Sequence, residues 1–309
     1  MSAVDRLAVT SAGDRAQLAR AALIGGPAAI APTLARIVRD ADEAGFDSIW
    51  VMDHFFQIRG VGRPEEPMLE GMTALGFMAA HTKRARLGLM VGGIHYRQPA
   101  LWAKATTTLD VLSGGRAWLG IGAAWNEEES LGLGFAFPPL GQRFEQLEDA
   151  LRYVHAMWDG DAGTGGAFDG THVHASRLLN SPQAITRPHP SIMIGGGGER
   201  KTLRLVAQYA DACNVFGDPV RIHHKYEVLR EHCEAIGRDP AEIERSTLQT
   251  VKLKIDDRPG DTPAQIVDWF GELSDAGAQH VIFNARDVSD PQVIETLGRD
   301  VIPGLHALP

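Results

Sequence analysis

The chain has 309 residues, 44% hydrophobic and 22% charged, a composition that can bury a large core as one barrel or as two smaller domains. Its 39 acidic and 30 basic side chains leave a net charge of -9. That balance argues against a broad nucleic-acid surface and leaves any anionic ligand to a local basic or backbone-amide site.

Two cysteines, Cys213 and Cys233, rule out a disulfide scaffold and a cysteine-rich metal centre. Both fall in apolar periodic stretches, where a small buried residue is expected. Asp5, Arg6, Asp14, Arg15 and Arg20 interrupt the first 25 residues, so no signal-peptide hydrophobic region is read there. No segment reaches the roughly 18 to 20 unbroken apolar residues of a membrane span. A cytoplasmic enzyme without nucleic-acid or membrane partners is the expectation.

Short apolar runs alternate with amphipathic helical patterns along the chain. Ile30, Leu34, Ile37, Val38 and Ala41 form the first helical stripe, which stops at Gly45 before a strand over Ser48–Met52. A strand over Ala85–Val91 follows, then the stripe Leu101, Ala105, Leu109 and Leu112 with its stop at Gly114. Ala117–Gly122 is the next strand, and Phe144, Leu147, Leu151, Val154 and Trp158 the next stripe. Asp159 to Pro190, rich in Gly, Asp, Ser, Thr and Pro, is too long for a simple connection. It reads as an insertion over one end of the fold, with a hairpin around Phe168–Val173. Strands are then expected over Ser191–Ile194, Ala212–Phe216, Leu248–Ile255 and His280–Asn284. Between them lies the stripe Ile222, Tyr226, Leu229, Cys233 and Ile236, and Asp218-Pro219 and Thr262-Pro263 mark helix starts.

Glu43-Ala44-Gly45-Phe46 and Asp275-Ala276-Gly277-Ala278 echo one another, each ending a helix and turning into a buried strand. Recurrence of such units predicts an α/β fold, a (β/α)₈ TIM barrel forming a single domain over residues 1–309. A doubly wound Rossmann-type sheet is the rival. A barrel cannot leave its first strand vacant, and Leu7–Thr10 is the expected occupant because Val and Thr favour strands. Gln17–Leu23, rich in alanine, is the alternative.

Barrel chemistry gathers where strands end. Those positions hold Asp53-His54-Phe55-Phe56, Gly92-Gly93-Ile94-His95-Tyr96, Gly122-Ala123-Ala124-Trp125-Asn126-Glu127, and Gly195-Gly196-Gly197-Gly198-Glu199-Arg200-Lys201. The glycine run opens a helix, so its backbone can approach a phosphate, with Arg200 and Lys201 as added charge; a plain tight turn is the bland alternative. Arg200 stands where a Walker A loop needs glycine, and Trp125 where a dinucleotide fingerprint needs one, so both of those sites are rejected. His54 at a strand end can exchange a proton near neutral pH, with Asp53 as a neighbouring tuning carboxylate, or it can be a structural histidine bonded to a carbonyl. His172 and His174 have the spacing of two ligands on one strand face, but no third ligand is near, so no metal is expected. His223-His224 are expected to face solvent from a helix, and Ser113-Gly114-Gly115 ends a helix instead of forming a nucleophile elbow.

The run Gly45-Phe46-Asp47-Ser48-Ile49-Trp50-Val51-Met52-Asp53-His54-Phe55 resembles the second-strand motif of the bacterial luciferase-like family of flavin and deazaflavin oxidoreductases. Leu109–Arg116, Gly120–Glu128 and Ile194–Glu199 are similar to its third-helix ending, fourth-strand motif and phosphate loop. Met52–Phe56 and His95-Tyr96-Arg97 look closest to the branch using coenzyme F420. The resemblance implies a (β/α)₈ barrel with the cofactor ring over the C-terminal strand ends and a non-proline cis peptide backing it, best matched by Gly93-Ile94. It implies an F420-dependent oxidoreductase that moves a hydride to or from a small-molecule substrate. FMN is the alternative cofactor, in a monooxygenase or a non-catalytic flavin-binding barrel, and a homodimer is allowed. Where some relatives carry a carboxylate after the fourth-strand Gly-x-Gly, this chain has Ala123, which leaves His54 as the catalytic candidate. The implied cofactor-binding set is Asp53, Gly92, Gly93, Ile94, Ala123, Trp125, Asn126, Gly195, Gly196, Gly197, Gly198 and Glu199. Within it Asn126 and Gly196–Gly198 hold the phosphate. Phe55, Phe56, Tyr96 and Trp125 would wall the pocket.

Overall fold

The computed structural model describes residues 6–10 and 26–308. Its centre is a ring of parallel strands: β1 (Arg6–Thr10), β2 (Ser48–Val51), β3 (Arg86–Leu89), β4 (Ala117–Gly122), β5 (Ser191–Gly195), β6 (Ala212–Val215), β7 (Glu244–Val251) and β8 (His280–Ala285). Each pairs with the next, β3 meeting β4 at Leu87↔Ala117, and β8 returns to β1 from Arg6↔His280 to Thr10↔Asn284. The ring is closed, which rules out the doubly wound sheet. The segment around Leu7–Thr10 fills the first-strand place as expected, while the alternative Gln17–Leu23 lies outside the described residues.

The outer layer includes α1 (Ile30–Ala44), α2 (Gly71–His81), α3 (Pro99–Ser113), α4 (Glu127–Gly132), α5 (Leu140–Trp158), α6 (Thr202–Tyr209), α7 (Pro219–Ile236) and α8 (Pro263–Asp275). The start signals act as expected: the Asp218 side chain caps α7, and Thr262 forms a capping box with Gln265 on α8. Gly45 and Gly114 end α1 and α3 with φ of 95° and 72°, where a Cβ would be strained. None of the described helices is long and apolar enough to cross a membrane.

Period-2 alternation splits the core in two. Ile49 and Val51 face the helices, whereas Trp50 points inward with Trp118, Met193, Ala212 and Ile282. Gly88 lies between Trp50 and Trp118 in register, and a Cβ there would stand 2.5 Å from the Trp50 ring. A smaller residue between two large ones lets the interior layer close, with the indoles edge to face at 5.6 Å.

The expected bounds of one strand need correction. β7 starts at Glu244, four residues before the predicted Leu248, and ends at Val251, not Ile255. Ser246 and Thr247 are buried there because their hydroxyls donate to the β6 carbonyls of Cys213 and Val215, a pairing that hydrophobicity does not reveal. The hairpin forms at Phe168–Asp169 and His174–Ala175. The insertion packs along the flank of α3 and α5, and its His172 and Val173 line a cleft with Ile94, His95, Tyr96 and Arg97 of the loop after β3 at one end of the barrel. His172 N–H donates to Asp149, Asn180 to Thr107, and the Ile185 and Thr186 amides to Asp110. Buried carboxylates and hydroxyls on those helices satisfy an insertion backbone that has little sheet pairing of its own.

Candidate active site

The mouth of the barrel is organised by two carboxylates. Asp53, directly after β2, accepts a bidentate pair from Arg97, with Nη1 to Oδ2 at 2.7 Å and Nη2 to Oδ1 at 2.8 Å. It also accepts the Gly93 amide at 3.1 Å, so both oxygens are committed. Arg97 reaches Glu70 as well and lies 4.5 Å over the Trp102 ring. Asp53 therefore anchors the loop after β3 and is not the carboxylate that meets His54.

Glu129, on the first turn of α4 and 1% exposed, takes that place. Its Oε2 accepts from His54 Nδ1 at 2.7 Å and from the Tyr96 hydroxyl at 2.6 Å. Its Oε1 accepts the amides of Phe55 and, at 2.7 Å, Phe56. Burial pushes the carboxyl up, but the hydrogen bonds from His54, Tyr96 and Phe56 and the nearby His54 charge outweigh it and hold it at about 2. An ionised carboxylate only accepts, so Nδ1 carries a proton and donates it to Oε2, which leaves Nε2 pointing away from Glu129. No described residue bonds to Nε2. Tyr96 stays a phenol, raised by burial and by the Glu129 hydrogen bond and charge.

His95, the other imidazole of this region, is set differently. The Ser130 hydroxyl donates to the Asn126 carbonyl at 2.6 Å and so accepts from His95 Nε2 at 2.7 Å. Burial, helped by the Arg143 charge, pushes His95 down to about 4, so it is neutral at physiological pH. Both rings have a nitrogen without a partner, but His95 Nδ1 is buried, whereas the His54 side chain is 12% exposed at the mouth. The Trp125 ring, 62% exposed, stands edge-on to it at 5.4 Å. Beside them opens a cleft of about 610 Å³ lined by Phe56, Gln57, Arg59, Arg63, Trp125 and Asn126.

The linkage of Glu129 predicts acid lability. Its native value of about 2 lies below its usual 4.5, so the stability it contributes is complete above the usual value and is lost as pH falls towards the lower one. Urea unfolding at pH 7 and pH 3 should show a loss for the parent that is smaller for Glu129→Gln, which cannot titrate there. Equal losses in both would dissociate Glu129 from acid unfolding.

The non-proline cis peptide lies at Met90–Val91, not at Gly93–Ile94. Gly92 and Gly93 already pair with Ile121 and Gly122 of β4, and Ile94 is buried at the start of a short 3₁₀ turn over Ile94–Tyr96. The chain bulges out of the sheet at Met90–Val91, between the end of β3 and these two glycines. Val91 then sits over two glycines: a Cβ on Gly122 would meet its side chain at 3.0 Å and one on Gly195 at 2.8 Å. A Cβ on Gly120 would stand 1.8 Å from the Leu89 carbonyl oxygen. The Gly-x-Gly of β4 is thus required by close packing against this bulge.

After β5 the loop turns through Gly196 at φ 125°. Gly196 N–H donates to the Asn214 carbonyl at 2.9 Å, whereas the amides of Gly197, Gly198 and Glu199 have no acceptor among the described residues. A Cβ on Gly198 would crowd the Thr202 hydroxyl at 2.8 Å. Exposed amide donors on a backbone without side chains fit a phosphate group.

The sequence-predicted residues separate accordingly. His54 and Trp125 meet at the mouth, and Gly196–Glu199 form the loop after β5. Gly92, Gly93 and Ile94 are buried beneath the bulge, and Ala123 gives its carbonyl to Arg143 Nε at 2.9 Å. Asn126 caps α4, accepting from Glu129 N–H at 3.3 Å, so its side chain serves the helix and not the glycine loop. Phe55 and Tyr96 pack with Phe135 into an aromatic cluster, and Tyr96 and Phe135 also line a cleft of about 370 Å³. His172 pairs with Glu145 and His174 with Asp169, so the two histidines serve separate carboxylates. His224 is exposed as expected but also bonds Glu199. Glu129 was missed. Asn126-Glu127-Glu128-Glu129 has the spacing of a capping box, a signal that marks position 129 but names the wrong partner.

Residues 8–290 match the family described as luciferase-like monooxygenase. The chain is 30% identical to an F420-dependent glucose-6-phosphate dehydrogenase of Kineococcus radiotolerans over 73% of its own length, and spans 65% of that enzyme. Among solved structures it is similar to an F420-dependent secondary alcohol dehydrogenase in complex with an F420-acetone adduct, with a TM-score of 0.79 and 17% identity, covering 98% of this chain and 99% of the other. A monooxygenase from Streptomyces bottropensis gives a TM-score of 0.78 at 14% identity, covering 96% and 99%.

Proposed function

Because this chain belongs to the luciferase-like monooxygenase family, we propose that it is an F420-dependent oxidoreductase acting on a small organic substrate. The observation that carries this reading is the His54–Glu129 pair at the barrel mouth, with Nδ1 protonated and Nε2 free. Its similarity to F420-dependent dehydrogenases supports the choice of cofactor. When bound, the deazaflavin supplies two-electron hydride chemistry. His54 Nε2 takes up the proton released as the substrate is oxidised and returns it in the opposite direction. Glu129 fixes the tautomer and stabilises the imidazolium. Met90 and Val91, in place of Gly93–Ile94, would back the ring, Trp125 would screen the histidine, and the amides of Gly197, Gly198 and Glu199 would hold the phosphate. Ala123 offers no carboxyl, so proton transfer rests on His54.

Titration with F420 and with FMN tests the cofactor: F420 should bind more tightly. Tighter FMN binding with oxygen-dependent turnover would favour the monooxygenase reading, and cofactor binding without turnover the non-catalytic one.

Gly197→Val probes the loop. A Cβ there meets only the Lys225 stem at an ordinary 3.7 Å, so the variant should fold. Its bulk should nevertheless weaken cofactor binding by tenfold or more, about 1.4 kcal/mol. A folded variant with unchanged affinity would make the glycines a turn and nothing more.

A further inference from the structure

The glycine loop after β5 is overlaid by a nitrogen-rich edge of α7. Lys225 reaches it with a side chain only 14% exposed. Its ammonium donates to Glu199 Oε1, and His224 Nε2 shares that oxygen at 3.0 Å. His232 Nε2 donates to the Glu199 main-chain carbonyl at 2.8 Å, which ties the loop to the helix. The basic residues that follow the loop in sequence are placed elsewhere: Arg200 is exposed, and Lys201 Nζ lies 5.3 Å over the Phe144 ring. The cation beside the free amides of Gly197, Gly198 and Glu199 is therefore Lys225, which comes from a different βα unit.

The two members of this ion pair are not equivalent. Glu199 is 41% exposed and can turn its carboxylate into water at little cost. Lys225 has its stem covered and cannot follow, so its ammonium needs a partner at the loop. We propose that Lys225 is the cation of a phosphate-binding site on this loop, and that Glu199 is an internal occupant which an incoming phosphate group displaces. A phosphate offers the ammonium the same charge-assisted bond and brings further oxygens for the loop amides. This assignment rests on the cofactor reading only in taking the phosphate to belong to the cofactor. It reverses the expectation for the Glu199 side chain, which becomes a competitor for the site, while the Glu199 main-chain amide still faces the phosphate.

Calorimetric titration of F420 at fixed ionic strength tests it on the parent, Lys225→Met, Lys225→Arg and Glu199→Gln. Lys225→Met should weaken binding about tenfold or more, Lys225→Arg should stay within about threefold of the parent, and Glu199→Gln should tighten binding about threefold to tenfold. Inorganic phosphate should compete with F420 on the parent and lose that competition on Lys225→Met. Unchanged affinity in a folded Lys225→Met variant, or weaker binding by Glu199→Gln, overturns the proposal. Should the protein take FMN instead, the same ratios are read with FMN, because both cofactors present a phosphate. The cofactor assignment then fails while the role of Lys225 is still decided. If Gly197→Val abolishes binding and Lys225→Met does not alter it, the loop remains a phosphate site and Lys225 is excluded from it.

Discussion

Glu129→Gln is expected to lower turnover about 10²- to 10⁴-fold although it leaves His54 in place. A glutamine oxygen can still accept the amides of Phe55 and Phe56, but its NH₂ then faces His54 Nδ1–H and the Tyr96 hydroxyl, so a donor group now meets two donors. The imidazole relieves the conflict by moving its proton to Nε2, and the free lone pair that would take the substrate proton disappears. His54→Ala should cause a loss of the same order, and the double variant should lose little more than either single one, because the two residues act as a unit. Cofactor affinity should stay within severalfold in all three. Stopped-flow turnover alongside cofactor titration separates the outcomes. If affinity and turnover fall together, the pair is a cofactor contact; if neither moves, His54 is structural.

Arg97→Met should be the most damaging of the single substitutions for stability, costing about 3 to 5 kcal/mol. It removes both donors from Asp53, whose side chain is 1% exposed, and leaves a buried carboxylate with the Gly93 amide alone. Methionine fills most of the volume over Trp102, so the loss reports charge and not a cavity. Asp53→Asn in the same background should recover part of it, since a neutral amide needs no cation. Denaturant unfolding of the single and double variants gives both values. A loss under about 1 kcal/mol for Arg97→Met would show that water compensates Asp53, and that the pair does not anchor the loop after β3.

Both effects concern charges paired across the barrel mouth, and there the sequence is least informative. Alternation of short buried strands with amphipathic helices, and the glycine and Asx-proline punctuation, follow from local backbone preferences and from which face must leave water. Hence strand places, helix stripes and the closed barrel were legible, and His54 and the glycine loop stood out as chemistry at strand ends. β7 was placed late because Ser246 and Thr247 are buried by hydrogen bonds to β6, a reason that resides in the neighbouring strand. The resemblance implies a cis peptide best matched by Gly93-Ile94, whereas the observed bulge at Met90–Val91 is accommodated by Gly122 and Gly195 on the next two strands. Likewise Asp53 is one residue from His54 but serves Arg97, and the carboxylate that meets His54 is 75 residues away. Periodicity shows which side chains turn inward, because burial is a property of one element's face. Which acid meets which base is decided only when successive βα loops converge around the ring, and that convergence brings Glu129 to His54 and Lys225 to Gly197.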